Sequence, residues 1–377
     1  IAEVIPSDWS KKDATEFLHG TIPHYMLGSN DKMTKEITDA ILLMNHADTL
    51  GSIMKFDISE ETRNAITIRT QEYEQLLANG EIVPEAIQLL IPYMHVILAL
   101  TDRYAAICMN PPYMGSGRFD SVLSKYVKDN YEEGKADLFS VFMLLAIDRL
   151  LPNGKYGMIN MQSWMFLSSF EKLRTRMLTE NCIDNMLHLG PRTFDELSGE
   201  VVQNTAFVIT NCEGKDATGA YYRLVDGKNC GDKERMFLSH ICGNEDGQKI
   251  FYPNVSQQDF EKIPGCPIGY WIKKKIFSTF MHKTVSSVSQ SKCGMNTGDN
   301  DGMIRLWFEI EFKELNSNAI SCEDFHKTGS RYAPYNKGGR ARKWYGNLEY
   351  VLKFDIANYK ILLNQGKHLP SLQHYFK

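Results

Sequence analysis

The 377-residue sequence lacks several features, and each absence narrows its class. None of its eight cysteines (Cys108, Cys182, Cys212, Cys230, Cys242, Cys266, Cys293 and Cys322) forms a C-x-x-C pair or has a histidine at zinc-ligand spacing, so no metal site is expected. They read as reduced thiols, the state expected of a cytoplasmic protein. No signal peptide is expected, and the longest apolar stretch, Ile87 to Leu100, contains Pro92 and His95 and is too short to span a bilayer. Neither an internal repeat nor a low-complexity tract is present. With 43% apolar and 23% charged residues, the composition excludes disordered and collagen-like classes. The first residue is Ile1 rather than methionine, which reads as a fragment or a processed chain.

What is present begins with charge. The net charge of −4 conceals an asymmetry: after residue 260 there are 18 Lys and Arg against 10 Asp and Glu, a balance of +8, which leaves −12 for residues 1–260. Pro253, Pro264, Gly265 and Pro267 cluster near that change of sign and predict a boundary there. Three organisational segments are expected: a helical segment at 1–101, a core at 102–250, and a basic region at 251–377.

Residues 31–54 and 59–78 have the spacing of amphipathic helices, and 84–100 that of a third, opened by a proline in its first turn. Tyr104 to Met109 is a short run without a polar face, which predicts a strand buried on both sides of a parallel sheet. A helix over 137–151, a turn at Pro152-Asn153-Gly154, a strand over 156–161, a helix over 170–180, and strands over 183–189 and 203–210 complete an alternating series. Such alternation predicts a doubly wound α/β sheet with its ligand crevice at the carboxyl ends of the strands.

Asn110-Pro111-Pro112-Tyr113 stands at one such end. An isolated N-P-P-Y can be a proline-stiffened surface turn; its place after a wholly apolar run favours chemistry. The amine of a planar base or amide is a poor nucleophile because its lone pair is delocalised. Two acceptors in the amine's plane localise that pair by drawing its N–H bonds. Asn110 offers a side-chain carbonyl and Pro111 a backbone carbonyl. The two prolines fix φ twice and remove two competing donors, while Tyr113 supplies a face on which a planar base can stack. Cys108 lies before the turn, inside the expected strand, so nothing supports the thiol attack that cytosine C5 methylation requires.

From Lys327 to Lys343, six basic residues (Lys327, Arg331, Lys337, Arg340, Arg342 and Lys343) occur without an acid and are interleaved with Tyr332 and Tyr335. Phosphate contact combined with aromatic stacking is the pattern of a nucleic-acid surface, although a charge run alone also fits a solvated loop.

The N-P-P-Y tetrapeptide resembles the catalytic motif of S-adenosylmethionine-dependent amino methyltransferases, in the segment order of the γ-class N6-adenine DNA enzymes. K-A-D-L-F-S-V-F from Lys135 and the following P-N-G-K-Y-G-M-I-N extend the likeness, as does F-D-E-L-S-G-E-V-V-Q-N-T-A-F-V-I from Phe194. A-D-T-L-G-S-I from Ala47, N-T-G-D-N-D from Asn296 and P-Y-N-K-G-G-R-A-R-K-W-Y-G-N from Pro334 resemble the large methyltransferases of BREX phage-defence and type IIG restriction-modification systems.

The resemblance implies a Rossmann-like methyltransferase core, incomplete at its N-terminus, followed by the start of an α+β target-recognition domain. It implies methyl transfer from S-adenosylmethionine to N6 of a flipped adenine, with Phe194 against the base and Asp48 near the cofactor's adenine. Double-stranded DNA and other defence-system subunits are the implied partners, in a bacterial cytoplasm. The family's glycine-rich cofactor turn is not found upstream of residue 104. The chain alone is therefore expected to hold half a cofactor site, to bind S-adenosylmethionine weakly and to be inactive by itself. Two other readings stay open: methylation of a glutamine amide or a guanine amine, which N-P-P-Y also serves, and a non-catalytic DNA-binding or specificity component.

Overall fold

The computed structural model describes residues 9–26, 28, 30–194, 202–214, 216–243, 249–290, 297–364 and 375–376. Cys293, Asn296 and residues 195–201 lie outside them. The chain divides into two compact units, residues 1–282 and 283–377.

Unit 1 is α/β. It opens with α1 (Lys11–Tyr25), a helix not anticipated from the sequence, then α2 (Asp31–Leu43), α3 (Ala47–Leu50), α4 (Glu60–Ala78) and α5 (Glu85–Thr101). The continuous helix expected over 31–54 is broken: His46 leaves the helical region at φ −103°, ψ 17°, and α3 is a separate turn. The start of α4 follows its sequence signal, since the Ser59 hydroxyl accepts from the Thr62 backbone N–H. Buried Leu18, Ile37, Ile66, Leu90 and Met94 from these helices join the same core as the sheet.

The sheet comprises β1 (Tyr104–Met109), β2 (Leu150–Met161), β3 (Cys182–Pro191), β4 (Gln203–Thr210), β5 (Thr218–Arg223) and β6 (Phe251–Ser256). Its order is β1-β2-β4-β3-β5-β6. β1 runs parallel to β2 and β3 parallel to β5, with β4 antiparallel between β2 and β3. Strands β1, β2, β3 and β5 therefore end on the same edge. The expected turn at 152–154 is absorbed into β2 as an irregularity, where Asn153 takes φ 62° and the 153–154 backbone bonds with Asn211.

One face of the sheet is covered by α7 (Leu138–Arg149) and α8 (Glu171–Glu180), following α6 (Ser121–Asn130). The near-continuous apolar sequence of α7 is explained by the burial of Phe139 to Val141 and Met143 to Ile147. Tyr156, Met158, Phe207 and Ile209 lie beneath these helices, fully or almost fully buried. The expectation that β1 is buried on both sides is overturned. It pairs with β2 at the sheet edge, and Tyr104, Ala105, Ala106 and Cys108 are exposed. An apolar run reports suitability for burial, whereas burial also needs a neighbour on each side.

Unit 1 continues through α9 (Cys230–Ile241), β6, α10 (Gln258–Glu261) and α11 (Lys274–Phe277). The charge-based boundary near 252–267 falls inside it, because Phe260, Ile268 and Tyr270 are core residues. The reading of all cysteines as free thiols is also corrected: Cys182 and Cys212 are joined by a disulfide, their Cα atoms 6.0 Å apart. The antiparallel register of β3 and β4 brings the start of one strand beside the end of the other.

Unit 2 contains α12 (Asn300–Met303), β7 (Ile304–Leu306), α13 (Cys322–Lys327), β8 (Tyr332–Tyr335), β9 (Tyr350–Lys353) and α14 (Ile356–Asn364). Its sheet has the order β7-β9-β8, both pairings antiparallel. Ile304, Phe325, Leu352 and Phe354 form its core.

Candidate active site at the carboxyl edge of the sheet

The end of β1 delivers Asn110 into solvent, while Pro111 is buried and Pro112 exposed. Rigidity comes from the segment that follows. The Met114 backbone N–H donates to Asp137 Oδ1 at 3.1 Å, and the Leu138 N–H donates to the Met114 carbonyl at 2.9 Å. The same Oδ1 accepts from the Phe139 N–H at 3.3 Å, so one carboxylate caps α7 and holds the exit of the turn. Burial pushes the Asp137 carboxyl upward, and its backbone hydrogen bonds oppose that shift.

Tyr113 is half-buried and fixed at its hydroxyl, which donates to the Ile159 carbonyl at 3.3 Å and accepts from Asn204 Nδ2 at 3.1 Å. Its ring stands edge-on to Phe139, with centroids 6.3 Å apart. Burial raises its pKa, an effect opposed by the Asn204 hydrogen bond and reinforced by Asp137, and the phenol therefore remains protonated. Asn110 has no described hydrogen bond to the protein, so its carbonyl is free to accept from a ligand.

Beside the turn, the uncovered face of the sheet forms a groove of about 520 Å³ lined by Cys108, Asn110, Ile159, Asn185, Leu187 and Val208 among others. A register shift between Ile183 and Asn185 turns Asn185 and Leu187 toward this face.

A polar relay continues along the same edge. Gln162 follows directly on β2, and its Oε1 lies 2.6 Å from His188 Nε2; His188 Nδ1 lies 2.9 Å from the Tyr270 hydroxyl. Neutral His188 donating from Nε2 and accepting at Nδ1 satisfies both partners. Burial, then Arg223 and Lys233, depress the His188 pKa to about 4, while Asp226 acts in the opposite sense. The unfolded chain therefore binds this proton more readily than the folded one. Stability should fall as pH drops from about 6.5 toward 4, by up to about 1.4 kcal/mol per pH unit from this group. Urea midpoints across that range should show this slope, and His188→Gln should flatten it; an equal slope in the variant would remove His188 as the cause.

The other site residues expected from the sequence are dispersed. Phe194 lies just beyond β3, 39% exposed. Asp48 is exposed on α3, and no described hydrogen bond or ion pair ties it to the N-P-P-Y turn. The six basic residues belong to unit 2: Lys327 ends α13, Arg331 precedes β8, and Lys337, Arg340, Arg342 and Lys343 lie on the loop between β8 and β9. All are exposed except Lys337, which is half-buried with its Nζ 5.0 Å from the Tyr350 ring centroid. Asn204, Gln162, His188 and the bracing role of Asp137 were missed. A polar side chain inside the apolar strand β4 was the available signal for Asn204.

These residues do not by themselves make a pocket for S-adenosylmethionine. Among the described residues no strand precedes β1 to carry a glycine-rich turn, and the one acid assigned to the cofactor is exposed on a four-residue helix.

Residues 28–194 match the model of the Eco57I restriction-modification methylase family. The matched stretch contains Asp48 and the N-P-P-Y turn and ends on Phe194. The chain is 34% identical over 345 residues to the adenine-specific methyltransferase BrxX of Escherichia coli O9:H4 (strain HS), covering 91% of this chain and 27% of that protein. It is 36% identical over 326 residues to the adenine-specific methyltransferase PglX of Lacticaseibacillus casei (strain Zhang), covering 82% and 26%. The chain thus spans about a quarter of the length of these curated relatives. A type I restriction-modification methyltransferase subunit from Streptococcus thermophilus is similar in structure at 15% identity and a TM-score of 0.32, covering 44% of this chain and 37% of that one. No helix among the described residues is long and apolar enough to cross a membrane.

Proposed function

We propose that this chain carries the base-accepting part of an adenine-specific DNA methyltransferase of the BREX and restriction-modification type. The observation that carries the reading is the N-P-P-Y turn: an unengaged Asn110 carbonyl at a strand end, followed by a tyrosine clamped through its hydroxyl. S-adenosylmethionine supplies an electrophilic methyl group when bound. This chain's residues prepare the nucleophile. Asn110 Oδ1 and the Pro111 carbonyl accept the two N–H bonds of adenine N6, which localises the nitrogen lone pair. Tyr113 and Phe194 hold the flipped base by its faces. Asp137 and Asn204 act as positioning residues. The basic groups of unit 2 bind the DNA backbone, and further subunits of a defence system are candidate partners.

The test uses the full-length protein with labelled S-adenosylmethionine and either duplex DNA or a protein extract. Label recovered as N6-methyladenine in DNA supports the reading, and label confined to protein glutamine overturns it. The binding surface makes its own prediction. If the six basic residues meet phosphate, log affinity should fall with log salt at a slope of about −5, since each contact contributes about 0.9. A flat response would remove them from the interface.

A further inference from the structure

Resting on the DNA reading above, we propose that the loop between β8 and β9 stacks an unpaired DNA base on Trp344 and Tyr345, beyond any contact it makes with phosphate. Trp344 is 89% exposed and Tyr345 82%, and neither belongs to the buried core of unit 2. An indole and a phenol held almost wholly in water need an outside partner to recover their burial energy.

The loop is built rather than merely long. Pairing of Tyr335 with Tyr350 closes its base, and the Asn347 side-chain amide donates to the Arg340 carbonyl at 3.3 Å across it. Two glycines permit this compactness. A Cβ on Gly339 would sit 2.7 Å from Asn347 Oδ1; Gly346, at φ +145°, is packed by Arg342, whose Cγ would lie 2.8 Å from a Cβ there.

Charge selects the partner. The loop carries Lys337, Arg340, Arg342 and Lys343, and Glu349, its acid, faces Arg342 at 3.4 Å. Lys343 Nζ lies 5.7 Å from the Trp344 ring centroid. Exposed aromatic faces alongside cations suit a polyanion made of planar units. The sheet register adds to the same end: Leu306 pairs with Tyr350, the Trp307 N–H donates to the Glu349 carbonyl at 2.9 Å, and Trp307 and Phe308 are both more than half exposed. Leu348, 49% exposed, also lies on this loop, but four cations against one acid exceed what the charge-depleted core of a protein-docking patch carries.

The full chain should be titrated with an intact duplex and with the same duplex carrying 2-aminopurine opposite an abasic site. The expected result is about ten- to a hundredfold tighter binding of the abasic duplex, with severalfold quenching of 2-aminopurine fluorescence. Trp344→Ala combined with Tyr345→Ala should erase both the preference and the quenching while leaving the salt slope unchanged. Trp344→Phe should retain most of each. Equal affinity of the unaltered chain for the two duplexes without quenching overturns the proposal whatever the variants do, as does a preference that survives the double alanine substitution. If binding to both duplexes is absent, the DNA reading falls together with this one; salt-dependent binding without preference removes the stacking alone.

Discussion

Asn110→Ala in the full-length protein should lower the turnover number for DNA methylation by about 10²- to 10³-fold, the loss typical of removing one preorganised polar group aimed at the reacting centre. Affinity for DNA should change little. Asn110 is exposed and makes no described hydrogen bond that holds the fold. The turn is instead kept in shape by the prolines, by Asp137 at Met114 and by the Tyr113 hydroxyl, none of which the substitution touches. Single-turnover rates separate this outcome from a binding defect. A variant that methylates at the original rate would deprive the Asn110 carbonyl of its role. One that loses DNA affinity in proportion to its rate would make the residue part of the binding surface.

The strength of that prediction reflects how much of the site is local in sequence. N-P-P-Y is legible because two fixed φ angles and an abrupt end to an apolar run occur within ten residues, and Asp137 is legible as a helix cap because the cap and the helix adjoin. Strand β4 was readable for the same reason: its β-branched and apolar residues form one continuous stretch. The unread parts are those created by distance along the chain. Asn204 matters because it meets a hydroxyl 91 residues earlier, and the 30-residue separation between Cys182 and Cys212 is bridged by strand register alone. Strand β5, helix α9 and strand β6 are short or polar enough to give no clear period. Exposure of β1 was misread because hydrophobicity along a strand records what can be buried and says nothing of how many neighbours the sheet provides.

A second long-range contact, behind the carboxyl edge, carries the largest expected effect on stability. Arg174 on α8 is 1% exposed, and its guanidinium reaches three backbone carbonyls on two otherwise separate segments: Trp164 at 2.8 Å and Leu167 at 2.7 Å, just beyond β2, and Gly265 at 2.6 Å. These segments lead into Phe166 and into Tyr270 and Trp271, which surround His188. Burial depresses the Arg174 pKa, with Cys266 and Glu171 opposing it, yet guanidinium stays charged because its ordinary value is so high. Arg174→Met keeps much of the volume but leaves the three carbonyls unsatisfied, at roughly 1–3 kcal/mol each where water cannot reach them. Partial relaxation should limit the net loss to about 3 kcal/mol, a fall in Tm of roughly 6–12 °C for a unit of this size. Arg174→Lys should recover only part of it, since a single ammonium lacks the planar fork that reaches both segments. The relay predicts a companion effect: as Tyr270 loosens, the pH dependence of stability between about 6.5 and 4 should shrink in Arg174→Met. A Tm within about 2 °C of the unaltered protein would mean that water or neighbouring donors already satisfy these carbonyls, and that the carboxyl edge is held by the sheet alone.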